Sequence, residues 1–185
     1  MNALISFPAG AVLSLGLALS SPSAAQSVAA GTDTGAVFVP VGLPDVEFIA
    51  KTVDAPGPRT LVVHYFTECQ VRRGHVEYDI VVSKGILAIT TKQLPPTHDD
   101  LSALCSNDGA TSESNLRAAS VGTTAACVVD EAGDYTVRVR GHVEGPGAVG
   151  SGLVDDQSLV IEQQPYAAGL PPCITALPGG IAGGG

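Results

Sequence analysis

The stretch DYTVRVRGHV, residues 134–143, decides how the rest of the chain is read. In an extended backbone successive side chains point to opposite faces, so Tyr135, Val137, Val139 and Val143 share one side and Thr136, Arg138, Arg140 and His142 the other. Gly141 interrupts the apolar row. Such alternation is the mark of a strand with one buried and one wet face.

Moving outward, the same period of two recurs. Residues 60–69 set Leu61, Val63, Tyr65 and Thr67 against Val62, His64, Phe66 and Glu68, with apolar groups on both faces as in a central strand. Residues 76–82 set Val76, Tyr78, Ile80 and Val82 against Glu77, Asp79 and Val81, a strand with a wet side. Further strands are expected over 37–41, 46–53, 86–91, 118–129 and 158–162, about eight in all. Turn chemistry separates them: DAPGP at 54–58, SKG at 83–85, PP at 95–96, NDG at 107–109, EAGD at 131–134 and GPG at 145–147. One short helical turn is expected at 98–104, with Asp99 capping it before Leu101 and Leu104. Eight half-apolar strands leave one face wet in a lone sheet, whereas two sheets packed face to face bury it. The expected fold is therefore all-β, an antiparallel β-sandwich of jelly-roll or immunoglobulin-like type over 36–165. With 22 Gly and 13 Pro in 185 residues, helical bundles and coiled coils are excluded.

Residues 9–19, AGAVLSLGLAL, form an uncharged apolar run of signal-peptide length, too short to span a bilayer, followed by SPSAAQ at 21–26. A signal peptide over 1–25 is expected, with Gln26 as the first mature residue, then a flexible segment over 26–35 and a Gly/Pro-rich tail over 166–185. The formal charge of -9, from 18 acidic against 9 basic residues, disfavours nucleic acid and anionic lipid as partners. No membrane span is expected.

Four cysteines, Cys69, Cys105, Cys127 and Cys173, make an even set with no zinc-type spacing, which in an exported chain reads as two disulfides. Three pairings satisfy the count. Cys69 with Cys105 is favoured because Cys69 ends a strand pattern and Cys105 lies in the next long loop; Cys127 with Cys173 would then pin the tail to the body. The order of FTEC (66–69), the loop Cys105, GDYTVRV (133–139) and DDQSLV (155–160) resembles secreted bacterial β-sandwich domains of unassigned function, over about residues 60–162. That resemblance implies a fold and a location, and no catalytic residue.

Motif-bearing chemistry is absent: no G-x-S-x-G, H-E-x-x-H, Walker A, S-x-x-K or dinucleotide fingerprint occurs. Candidate sites are therefore assembled from residue types. The turn carrying Asp130, Glu131 and Asp134 offers hard oxygen ligands suited to Ca²⁺, ahead of Asp99-Asp100 and Asp155-Asp156. Arg138 and Arg140, on one strand face, offer an anion-binding pair unless Glu77 or Asp79 of a neighbouring strand neutralises them. A cross-strand pair of His64 and His142 would serve a metal-dependent (Ca or Zn) binder or enzyme, whereas His75 falls in a turn and His98 beside acids. With no Trp and Tyr166 the one free ring, a carbohydrate-binding module is disfavoured. The leading expectation is a secreted, disulfide-stabilised β-sandwich with a non-catalytic binding or structural role, no obligatory cofactor, an extracellular protein or surface component as partner, and room for homo-oligomers through an exposed face or edge.

Overall fold

The alternation at 134–143 becomes β9 (Gly133–Glu144), in which Tyr135, Val137, Val139 and Val143 are buried while Thr136, Arg138, Arg140 and His142 are half-buried. The computed structural model describes residues 27–42, 44–85, 92–93, 103–107, 117–145, 148 and 150–174. Around β9 lie β1 (Ser27–Asp33), β2 (Val37–Val39), β3 (Val46–Ala55), β4 (Arg59–Val71), β5 (Gly74–Lys84), β6 (Lys92–Gln93), β7 (Ala103–Asn107), β8 (Arg117–Val129) and β10 (Gly152–Gln164). The strand expected at 86–91 lies outside the described residues, as do 98–102 of the expected helical turn; Ala103 and Leu104 open strand β7 instead.

Two antiparallel sheets result. The first runs β1-β10-β4-β8, with β2 also on β10; the second runs β3-β9-β5-β6, with β7 also on β5. From β3 to β5 and again from β8 to β10, each strand lies in the opposite sheet from the one before it. Pairing is nested from the outside in: β1 and β2 with β10, β3 with β9, β4 with β8, β5 with β6 and β7. One long ribbon folded over itself gives that order, which is the jelly roll. An immunoglobulin sandwich instead sets the consecutive strands A and B, D and E, and F and G side by side within one sheet.

The core is the space between the sheets, filled from the first by Leu61, Val63, Tyr65, Leu159 and Ile161 and from the second by Val76, Ile80, Val137 and Val139, all fully buried or nearly so. Two bulges face each other across it. The pairing of β10 with β4 shifts between Asp155 and Ser158, where Asp156 takes φ +45°, and the pairing of β3 with β9 shifts between Glu47 and Ile49 around Phe48. A bulge re-aims a side chain, and here it sends Gln157 inward. Gln157 Nε2 donates to the Phe48 carbonyl of the opposite sheet at 3.2 Å, and Oε1 accepts from the Tyr65 hydroxyl at 2.9 Å. Burial holds the Tyr65 phenol well above its ordinary pKa. Gln163 makes a second bond between the sheets, Nε2 donating to the Asp54 carbonyl at 3.0 Å, although its Oε1 is buried without a partner.

Both disulfides extend this cross-linking. Cys69 of β4 bonds Cys105 of β7, joining the two sheets, and Cys127 of β8 bonds Cys173 beyond β10, the pairing favoured from the sequence. Around the second bridge, Val128 donates to the Pro171 carbonyl at 2.9 Å and accepts from Cys173 at 2.8 Å, so the chain after β10 covers one end of the β8 edge. A paired edge no longer templates association.

Three sequence expectations are corrected. Residues 26–35 are not a free lead-in: β1 pairs β10 from Ser27↔Gln163 to Asp33↔Gln157. β1 is an edge strand of small, mostly exposed residues, so no alternation betrays it. His75 lies in β5 rather than in a turn, and β5 has no uniformly wet side, since Asp79, Val81 and Ser83 of its outer row are buried together with its inner row. Arg138 reaches over from β9 to donate to Ser83 Oγ at 2.6 Å, covering that row with its stem.

Candidate functional site

The outer face of the second sheet gathers the polar chemistry of the molecule. Strand periodicity places His75, Glu77 and Asp79 on the outer row of β5 and Arg138, Arg140, His142 and Glu144 on that of β9. The register then sets His75 opposite Glu144, Glu77 opposite His142 and Asp79 opposite Arg140. Asp45 and Glu47, at the start of β3, complete the set.

Its centre is the half-buried His142. Asp45 Oδ1 lies 2.8 Å from its Nδ1, while its Nε2 faces Glu144 Oε2 at 3.4 Å and Glu77 Oε2 at 3.8 Å. His75, Glu77 and Glu144 bring one potential ligand atom each within 4.8 Å of one another. Glu77 Oε2 is buried and accepts no hydrogen bond. Burial first, and the adjacent Glu144 carboxylate second, push the Glu77 carboxyl up to about 7, whereas the hydrogen bond from Glu77 holds Glu144 below its usual range.

Glycines permit this closeness. A Cβ on Gly74, whose φ is +91°, would stand 2.4 Å from the Glu144 carbonyl oxygen, and one on Gly141 would stand 2.0 Å from that of Glu77. Only a residue without a side chain lets β5 and β9 meet so closely at these points. The Phe48 ring fills the inward space beside Gly141, which explains the gap in the apolar row of β9.

Arg138 and Arg140 are neutralised by the protein itself. Arg138 Nε lies 3.2 Å from Glu47 Oε2; Arg140 Nε lies 3.2 Å from Asp45 Oδ2 and its Nη2 3.6 Å from Asp79 Oδ2. The anion-binding role expected of this pair is taken by internal carboxylates, and the face as a whole is acid-rich.

Asp130, Glu131 and Asp134 lie beyond the opposite end of β9 and do not form a ligand set. Glu131 Oε2 is 2.5 Å from Lys84 Nζ, a hydrogen bond that pushes the lysine up and the carboxylate down, and the Glu131 carbonyl accepts from Tyr135 Oη at 2.8 Å. A cleft of about 190 Å³ beside them is lined by Lys84, Val129, Tyr135 and Ile174, and the ammonium there repels the cation that the turn was expected to hold. Tyr166 is half-exposed at 47%, with Asp130 near enough to raise its pKa.

His64 and His142 do not pair. His64 sits on the outer face of the first sheet, Nδ1 3.0 Å from Thr124 Oγ1 and Nε2 3.8 Å from Glu162 Oε1, so the sandwich separates the two rings. Alternation assigns a residue to a face of its own strand but not to a sheet. One sequence signal was passed over: the tetrapeptide GHVE occurs twice, at 74–77 and 141–144, and the antiparallel pairing of β5 with β9 lays the two copies side by side.

No family model matches the chain, and no curated protein matches it. Among solved structures it is similar to the infectious bursal disease virus VP2 subviral particle, at 12% identity over 90% of this chain and 39% of that one, with a TM-score of 0.49. It is likewise similar to the structure of infectious bursal disease virus Gx strain, at 11% identity over 91% and 39%, also with a TM-score of 0.49. The chain spans about two-fifths of the length of those proteins. Strand order, not this likeness, assigns the jelly roll.

Proposed function

We propose that the chain is exported and serves outside the cell as a non-catalytic, disulfide-stabilised binding or structural domain. The observation that carries this reading is the cysteine usage. Among the described residues no cysteine is free, and the two bridges join segments 36 and 46 residues apart, one of them linking the two sheets. Bridges of this kind form and persist in oxidising compartments. The leader-like residues 1–25 agree with it, as does the resemblance to secreted bacterial β-sandwich domains; these residues lie outside the described ones.

The partner on this reading is an extracellular protein or surface component. Support comes from the outer face of the first sheet, where Phe66 is 51% exposed opposite Gly122 and Ser158, in a strand row that also carries His64 and Glu68. Among the described residues no helix is long and apolar enough to cross a membrane.

Export is tested by producing the full chain in a secreting host and sequencing the recovered protein. The expected result is protein outside the cells, beginning at Gln26 and giving no free thiol on denaturation. An intact leader retained with reduced cysteines would overturn the reading.

A further inference from the structure

We propose that His75, Glu77, His142 and Glu144 form a binding site for one divalent transition-metal ion of the zinc class. The two GHVE tetrads run antiparallel, His75 opposite Glu144 and Glu77 opposite His142, so the four side chains make a checkerboard of two imidazoles and two carboxylates on one sheet face. Val76 and Val143 of the same tetrads point the other way and are fully buried, which anchors the face. Each tetrad's glycine presses on the carbonyl of the other tetrad's glutamate. The pair is therefore a local two-fold arrangement held by backbone contacts rather than a chance meeting of surface side chains.

The distances suit a small cation. Ligands about 2.0–2.2 Å from a tetrahedral zinc stand roughly 3.3–3.6 Å apart, and His142 Nε2 lies 3.4 Å from Glu144 Oε2 and 3.8 Å from Glu77 Oε2. The candidate atoms of His75, Glu77 and Glu144 lie within 4.8 Å of one another, a span that side-chain rotation closes. Asp45 supplies what metal-bound histidines commonly have, a carboxylate at the other ring nitrogen, 2.8 Å away. With the proton on Nδ1, the Nε2 lone pair and two carboxylates converge on one space. Glu77 Oε2 is already buried there and accepts no hydrogen bond, and a cation satisfies all of these acceptors at once. Two imidazoles select zinc, nickel, copper or iron over calcium and magnesium, which require oxygen ligands. This site is independent of whatever partner the domain binds.

The test uses the full-length protein, stripped with chelator and dialysed, then titrated calorimetrically with zinc chloride and separately with calcium chloride. One zinc per chain is expected, with no calcium binding that competes for it. His142→Ala and Glu77→Gln are each expected to weaken zinc binding at least about 100-fold, and Asp45→Asn about 10-fold. Glu131→Gln, in the turn at the far end of β9, leaves it unchanged. Gln keeps the shape of Glu77 while removing a charge crowded against Glu144, so the metal-free fold tolerates that variant even if His142→Ala unfolds. Cobalt(II) gives a second readout: an intense visible band of tetrahedral type, lost in Glu77→Gln. No stoichiometric zinc, or zinc binding undiminished in Glu77→Gln, overturns the proposal.

Discussion

Gln157→Ala is expected to lower the free energy of unfolding by about 4 kcal/mol. Removing one partner of a buried hydrogen bond costs the desolvation of the group left behind, about 1–3 kcal/mol each, and Gln157 serves two. Its loss orphans the Tyr65 hydroxyl within the first sheet and the Phe48 carbonyl of the second. At 2% exposure the site admits little water, and the vacated volume adds a cavity term. For a domain of this size the melting temperature should fall by roughly 8–16 °C, as read by circular dichroism of the two proteins under one oxidising buffer. Tyr65→Phe/Gln157→Leu should lose less than its single changes add up to, because it removes both ends of one bond. A Gln157→Ala protein that melts with the wild type would mean that Gln157 does not bridge the sheets.

Removing the inter-sheet bridge, by Cys69→Ala/Cys105→Ala, is expected to cost a similar amount. The bond closes a loop with a sequence separation of 36, and the chain-entropy relation assigns such a loop about 4 kcal/mol of unfolded-state restriction. The native state loses less. Cys69 and Cys105 are buried in the core cluster, but β4 remains held by β8 and β10, and β7 remains paired with β5. The expected result is therefore a protein that still folds, with the same far-UV spectrum, a lowered unfolding midpoint in urea and a somewhat steeper slope, because the unfolded chain without the bridge exposes more surface. An unchanged midpoint would show that the bridge contributes nothing to stability.

How much of this was legible in the sequence depends on what each residue's signal encodes. β4 and β9 were readable because their alternation is strong and long, and a two-sheet sandwich followed from the number of such segments, but the choice between jelly roll and immunoglobulin-like order needed the strand pairing. β1 was not readable, since a strand of small exposed residues pairs through its backbone and leaves no mark in side-chain polarity. β7 was hidden beneath an apparent helix cap at Asp99. Phe48 and Gln157 share a subtler problem: a bulge breaks the period of two at the point where the side chain is most informative. The polar site shows the limit most plainly. Alternation placed His142, Arg138 and Arg140 on one face of β9 and Glu77 and Asp79 on one face of β5, but only register pairs them. Without register, His64 looked as good a neighbour for His142 as Glu77 does, and the repeated GHVE was the one local clue that β5 and β9 meet there. The Asp130–Asp134 turn misled for the opposite reason: its acids are close in sequence, but Lys84, from the end of β5, had already claimed Glu131.

The central claim is a jelly roll whose sheets and chain end are locked by two specific bonds, and disulfide mapping tests it most directly. Proteolysis of the unreduced, thiol-blocked protein followed by mass spectrometry should give one linked peptide pair containing Cys69 and Cys105 and another containing Cys127 and Cys173, with no blocked thiol at any of the four. A linkage of Cys69 with Cys127 or Cys173, or blocked thiols at these positions in protein kept oxidised, would contradict it.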